Sequence, residues 1–192
     1  DADRRHGFAG PERVGIIGGV SGGGALIVVD SLRRHVERFP AAVFDRDTRY
    51  HGRHVLGVPV VGSSDLAEQW LTEGRIDSVV IAFNRNLEER EQVYDRLRTA
   101  GARFCNVVDP TATLRSDIVL GEGNVILARV YLGPCATIGS NNFLSGGVWI
   151  EHGNQLGSHC AFGPGVFTSG NVRIGDSVRL GTGIFVEPDV SI

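Results

Sequence analysis

Residues 150–165, IEHGNQLGSHCAFGPG, set two imidazoles and a thiol, those of His152, His159 and Cys160, among Gly, Ser and small apolar residues. Such a set can hold a metal ion, move a proton or do neither. Imidazole is the side chain whose ordinary ionisation falls in the physiological range, so a positioned His can take a proton from a nucleophile at neutral pH. A second chemistry is offered by Gly19-Val20-Ser21-Gly22-Gly23-Gly24, which follows the apolar run RVGIIGG. Glycines there let a backbone approach a ligand, and a helix starting at the loop presents unpaired N–H groups to a phosphate. The spacing is not GxGxxG, and a plain strand-to-helix turn uses the same residues. Asp45 ends a second apolar run, AAVFD, where a carboxylate can receive a nucleotide's hydroxyl or base N–H. A solvated strand-end acid is the other reading of it. Cys105, Cys135 and Cys160 are odd in number and in no CxxC spacing, so neither a zinc ribbon nor a disulfide framework is indicated.

The elements that position these groups change character near Pro110. Before it, charged amphipathic stretches alternate with apolar runs. RVGIIGG, AAVFD, DSVVIAF and RFCNVV read as strands; GGGALIVVDSLRRHVERF (22–39), SDLAEQWLTEG and NLEEREQVYDRLRTAG read as helices. Asn86 and Glu89 have capping-box spacing at the start of the last of these, and Gly101 stops it. Alternation of this kind predicts a small parallel sheet of Rossmann type in residues 1–109.

After Pro110 a period of six takes over. Every sixth residue from Leu114 through Leu132, Ile150 and Thr168 to Ile192 is apolar, Thr168 excepted, and a second small or β-branched set follows four residues behind each. This register is the signature of a parallel β-helix in residues 110–192, with no inserted loop. His152 lies two positions past the inward Ile150 and is expected at a corner of the coil. Gly170, three hexads on, is expected directly above it, at about the 4.8 Å strand spacing. His159 falls on a different side of the triangle, so a metal shared by the two histidines of one chain is not expected. Cys160 belongs to the inward set and reads as core.

The hexapeptide pattern resembles the left-handed β-helix acyltransferases, whose chains associate as trimers. GVSGGG, VFDRD, GVPVVGS and the IEH of the β-helix together resemble one subfamily over nearly the whole chain, the bacterial nucleotide-sugar and sialic-acid acetyltransferases that N-acetylate UDP-4-amino-sugars. The resemblance implies an acetyl-CoA-dependent enzyme with no metal, assembled as a homotrimer. In it His152 is the general base in a cleft between subunits, and the Gly170 N–H receives the thioester oxygen. The same resemblance gives Gly19, Ser21, Gly22, Gly24 and Asp45 to the nucleotide-sugar. It gives Gly181 and Thr182, otherwise a plain repeat turn, to the coenzyme together with Gly170.

Three positions depart from the pattern. Gly153 stands where relatives carry a carboxylate after the histidine, and Glu151 is expected to point elsewhere along its strand. Gly23 stands where relatives often carry a polar residue or His. The chain ends at Ile192, where relatives run on for about one more coil. Two alternatives therefore stay open: O-acetylation of a sialic-type sugar, and a non-catalytic paralogue that binds a nucleotide-sugar or scaffolds a partner.

Composition narrows the class. The 192 residues are 42% hydrophobic with a net charge of −3, which offers no basic surplus for nucleic acid or an anionic membrane. No apolar run approaches the roughly 18 residues of a membrane span. DADRRHGFAGPERV has no signal-peptide core, so a cytoplasmic protein is expected. There is no Met at all, which predicts a native start further upstream.

Overall fold

A computed structural model describes residues 10–192; residues 1–9, part of the segment read as lacking a signal peptide, lie outside the described residues. The chain opens with β1 (Glu12–Ile17), α1 (Gly24–Leu32), β2 (Arg38–Phe44), β3 (His54–Val55), β4 (Val58–Gly62), α2 (Ser64–Thr72), β5 (Ser78–Ile81) and α3 (Leu87–Thr99). The sheet order is β3-β4-β2-β1-β5, parallel throughout except for β3, which runs antiparallel to β4 at the edge. Ala25, Val28, Val29 and Leu32 of α1 recur at helical spacing and are buried against one face of the sheet. Tyr94 and Leu97 of α3 close the other face with Phe44 and Ile81.

Two expectations need correction. The helix read over 22–39 stops at Leu32, and its last two residues, Arg38 and Phe39, belong to β2. The charged RRHVER run looked helical locally, but Arg38 pairs in register with Glu12, and its guanidinium reaches Glu12 Oε2 at 2.6 Å and the Asn106 carbonyl at 2.7 Å. Tertiary pairing outweighs a helix propensity worth only tenths of a kcal/mol per residue. RFCNVV, read as the last strand of the sheet, divides instead: Phe104 bridges Val79 of β5, while Val107–Val108 pairs with Val125–Ile126 of the next region.

From Val107 the chain makes two-residue strands at six-residue intervals, β6 (Val107–Val108), β7 (Thr113–Leu114) and so on to β19 (Phe185–Val186). Each pairs in parallel with the strand eighteen residues away, giving three stacks of five, four and five strands. This is consistent with the left-handed β-helix that the repeat predicts. Leu132, Ile138, Leu144, Ile150, Leu156 and Phe162 fill its interior, and Thr168 is fully buried among them. A turn residue in the left-handed region recurs with each hexad: Asp117, Arg129, Cys135, Asn141, His159, Asn171, Ser177 and Asp189, with glycines at 123, 147, 153, 165 and 183.

One corner carries an amide ladder. The side-chain oxygens of Asn106, Asn124 and Asn142 accept from the backbone N–H of residues 124, 142 and 160, and their NH2 groups donate to the carbonyls of Gly121, Gly139 and Gly157. Each amide is thus satisfied at both ends, and for the fully buried Asn124 and Asn142 that is the condition for keeping polar groups in a core.

Candidate active site

At the carboxyl ends of β1, β2 and β5 a cavity of about 310 Å3 is lined by Gly19, Ser21, Gly22, Gly24 and Asp45, the residues picked out in the sequence. Strand β1 lies between β2 and β5, so the chain leaves it in opposite directions on its two sides, and a crevice opens there. A Cβ on Gly19 would lie 2.9 Å from the Ala25 nitrogen and 3.0 Å from the Ala82 carbonyl, so this glycine is required by close packing of the turn. Gly22 differs, since a Cβ there would meet only Arg85 Nε at 3.8 Å. The Asp45 carboxylate organises the loop from within: Oδ2 accepts from Val20 N at 3.1 Å and Oδ1 from Asp47 N at 2.9 Å. It is buried rather than a solvated strand-end acid.

The same cavity is lined by Arg46, Asn84 and Arg85, which the sequence reading did not single out, and by Glu89, read there only as part of a helix cap. Arg46 Nη1 pairs with Glu89 Oε1 at 2.5 Å. These residues lie just after β2 and around the start of α3, and the same strand-end logic that selected Asp45 would have found them. As expected, the Asn86 side chain caps α3 by accepting from Glu89 N at 3.1 Å.

The second cluster lies on a corner of the β-helix. Ile150 pairs with Thr168 across adjacent coils, which puts the turn at 151–153 beneath the turn at 169–171. The His152 ring lies against Gly170, where a Cβ would stand 2.6 Å from Cε1 and 2.7 Å from Nε2; any side chain there would displace the imidazole. The Gly170 N–H has no acceptor among the described residues. The His152 side chain is 62% exposed, so one side of this corner is open.

Glu151 does not point away as expected. Its Oε2 lies 3.5 Å from His152 Nδ1, and its Oε1 accepts from the Trp149 indole N–H at 2.8 Å. That indole bond, with the His152 backbone N–H and the imidazole adding to it, holds the carboxyl below its usual range. Strand alternation ends at the turn, which is why period-two reasoning misplaced this side chain.

His159 sits on another corner, where Nδ1 meets Asn141 Nδ2 at 3.0 Å and the ring packs edge-on to Tyr94 of α3. Cys160 is buried on the ladder corner and its thiol contacts the Gly175 carbonyl; burial pushes it up to about 11. Among the described residues no group of three or more His, Cys, Asp or Glu could hold a metal ion. Gly181 and Thr182 are exposed on a third corner, distinct within one chain from that of His152 and Gly170. No helix among the described residues is long and apolar enough to cross a membrane.

No family model matches the chain, and no curated protein matches it. Solved structures do. A histidine-to-alanine mutant of GDP-perosamine N-acetyl transferase from Caulobacter crescentus, in complex with CoA and GDP-perosamine, is 33% identical with a TM-score of 0.84, over 96% of this chain and 83% of that one. PerB from the same organism, with the same two ligands, is 32% identical with a TM-score of 0.76, over 96% and 92%. The acetyltransferase domain of PglB from Neisseria gonorrhoeae, in complex with acetyl coenzyme A, shares the fold at 20% identity, with a TM-score of 0.69 over 95% and 96%. With that identity and coverage, and with a six-residue repeat folded into parallel stacks, the chain belongs to the bacterial nucleotide-sugar acetyltransferases of the hexapeptide β-helix family, enzymes that acetylate amino-sugars.

Proposed function

We propose that this chain moves acetyl from acetyl-CoA to the amino group of a nucleotide-linked amino-sugar, with His152 as general base. The observation that carries the reading is the seat of the His152 imidazole on Gly170, whose N–H has no partner among the described residues. The coenzyme supplies a thioester-activated acetyl group. His152 takes the proton that the acceptor amine sheds on attack and returns it to the sulfur that leaves as the C–S bond breaks, and Glu151, ionised through the neutral range, faces the far ring nitrogen and favours the imidazolium between those steps. The Gly170 N–H is suited to the oxygen on which charge develops, a contact worth roughly 3 kcal/mol of barrier in acyl-transfer sites. No protein nucleophile is required.

Residues 1–109 are assigned to a Rossmann-like nucleotide-sugar-binding domain and 110–192 to the acyl-transfer β-helix. The crevice beside β1 and the first repeat strand at Val107–Val108 support a junction close to Pro110. In the cavity the amides of Ser21, Gly22 and Gly24, together with Arg46 and Arg85, suit a diphosphate. GDP-linked 4-amino-sugars are the first acceptors to try, because the neighbouring complexes hold GDP-perosamine. Acetyl-CoA and a nucleotide-sugar as substrates fit a cytoplasmic reaction. The open side of the His152 corner is assigned to a neighbouring chain in a homotrimer, and Gly181 and Thr182 to the path of the coenzyme.

Thiol release from acetyl-CoA, followed with GDP-, UDP- and dTDP-linked amino-sugars, tests the reading. Turnover with at least one of them is expected, and His152→Ala should lower it by roughly a hundredfold or more while nucleotide-sugar binding by calorimetry survives. No thiol release with any acceptor, or normal turnover by His152→Ala, would overturn it.

A further inference from the structure

Resting on that assignment of His152 and Gly170, we infer that Asn154 is the positioning residue that sets the base and the oxyanion amide against each other. It occupies a column of the β-helix interior that is otherwise apolar, with Ile118, Ala136, Val172 and Val190 at the equivalent positions. Asn154 is 2% exposed, yet nothing in that column calls for an amide. Its Nδ2 donates to the Glu151 carbonyl at 2.7 Å, to the Ser169 carbonyl at 2.8 Å and, more weakly, to the His152 carbonyl at 3.3 Å. One side chain therefore ties the turn that bears the imidazole to the turn that bears Gly170.

The tie fixes direction as well as distance. Ser169 C=O and Gly170 N–H belong to one planar trans peptide, so they point oppositely. With the carbonyl drawn inward to Asn154, the Gly170 N–H is turned outward, to the side where the His152 ring lies and where no acceptor among the described residues meets it. In the same way the Glu151 carbonyl is held inward, and the His152 N–H faces out to Glu151 Oε2 at 3.3 Å.

A purely structural role fits poorly. The ladder asparagines are satisfied at both ends, whereas Asn154 Oδ1 is buried with no partner among the described residues. An orphaned buried acceptor weakens a fold, and valine, as at 172 in the same column, would fill the place without that cost. The amide is explained by what its donor end orients.

The test is Asn154→Val in the full chain, assayed with acetyl-CoA and the amino-sugar that gives the fastest thiol release, beside wild type and His152→Ala. A loosened geometry should lower kcat by about tenfold or more, leave KM for both substrates within about twofold, and leave the melting temperature equal or higher. Asn154→Ser, which keeps one donor, should recover part of kcat. A folded Asn154→Val with wild-type kcat, or a kcat that falls only in step with the melting temperature, overturns the inference. If the valine variant does not fold, Asn154→Ser decides in the same way: lowered kcat at unchanged KM supports the role, and wild-type kcat removes it. A slow His152→Ala beside a fast Asn154→Val removes this inference and leaves the general base standing; a fast His152→Ala removes both.

Discussion

Glu151 and Gly153 flank the imidazole, and only the first has a carboxylate to offer it. With Oε1 held by the Trp149 indole and Oε2 3.5 Å from Nδ1, Glu151 occupies the orienting place that the sequence suggested was vacant. Glu151→Gln should lower kcat by roughly fivefold, since an ion pair at an exposed position is worth up to about 1 kcal/mol. Unchanged kcat would show that the carboxylate is a bystander. Restoring at Gly153 the carboxylate that relatives carry there is not expected to help. Gly153 has φ +67°, a left-handed turn conformation that strains a side-chain-bearing residue, although eight such residues adopt it elsewhere in the β-helix. A Cβ there would also stand 2.5 Å from Asn171 Oδ1 in the turn above, so that exposed amide would have to swing aside. Gly153→Asp is expected to melt lower than wild type with no gain in kcat. The stacking of His152 on Gly170 was legible because a strict period of six fixes what lies above what. Glu151 was not, because its orientation is set by an indole two residues back.

Helix α3 shows how an element carries information between the two halves. Its sequence reads as a solvated helix, with Glu88 and Glu89 in the first turn and Arg96 and Arg98 in the last, each suited to the helix dipole. Arg90 looks like one more surface charge, yet it is fully buried. Its guanidinium donates to the carbonyls of Ile81 and Phe83 at the end of β5 and to that of Asn141 in the β-helix at 2.8 Å. With no carboxylate beside it, burial pushes it down to about 9, which leaves it charged at neutral pH among carbonyl dipoles. From the β-helix Arg179 also bonds the Asn84 carbonyl, so the loop that lines the cavity is fastened from two sides. Arg90→Met would leave those carbonyls unpaired, and breaking a buried charged network of this kind costs about 3 kcal/mol. A lower urea midpoint and a raised KM for the nucleotide-sugar, with KM for acetyl-CoA little changed, are expected. Equal shifts in both KM values would mean that the clamp serves the whole fold and not the cavity. No single-sequence pattern marks such a residue, because the carbonyls it satisfies come from two separate segments, the end of β5 and the β-helix turn at Asn141. The β3–β4 hairpin escaped notice for a related reason, being two residues long on one side and closed by Leu56 and Gly57 at positive φ.

At the scale of the whole molecule the open side of the His152 corner adjoins an uncovered aromatic face. Tyr131, Trp149, Phe167 and Phe185 occupy the same outward position on successive coils and stack with ring centroids 4.1, 5.8 and 5.9 Å apart. Phe185 is 76% exposed in the single chain and Trp149, which anchors Glu151, is 37% exposed. A contiguous apolar strip of this length on a lone chain marks an interaction surface. Its continuity with the turn at 151–153 favours a second copy of the chain as the occupant, since a neighbour seated there would wall the open side of His152. Closed cyclic symmetry then lets each chain give and receive the same contact, as in the proposed homotrimer. Light scattering at micromolar concentration should give about three times the chain mass of 20.6 kDa. Phe185→Asp tests the face itself. The residue points outward from the last repeat strand, so the variant should keep its circular dichroism, while the charge disfavours a buried apolar contact. Loss of the trimer together with loss of turnover is expected. A trimer that persists with full activity would assign the strip to something other than subunit contact, and a monomeric wild type that turns over normally would place the whole site within one chain.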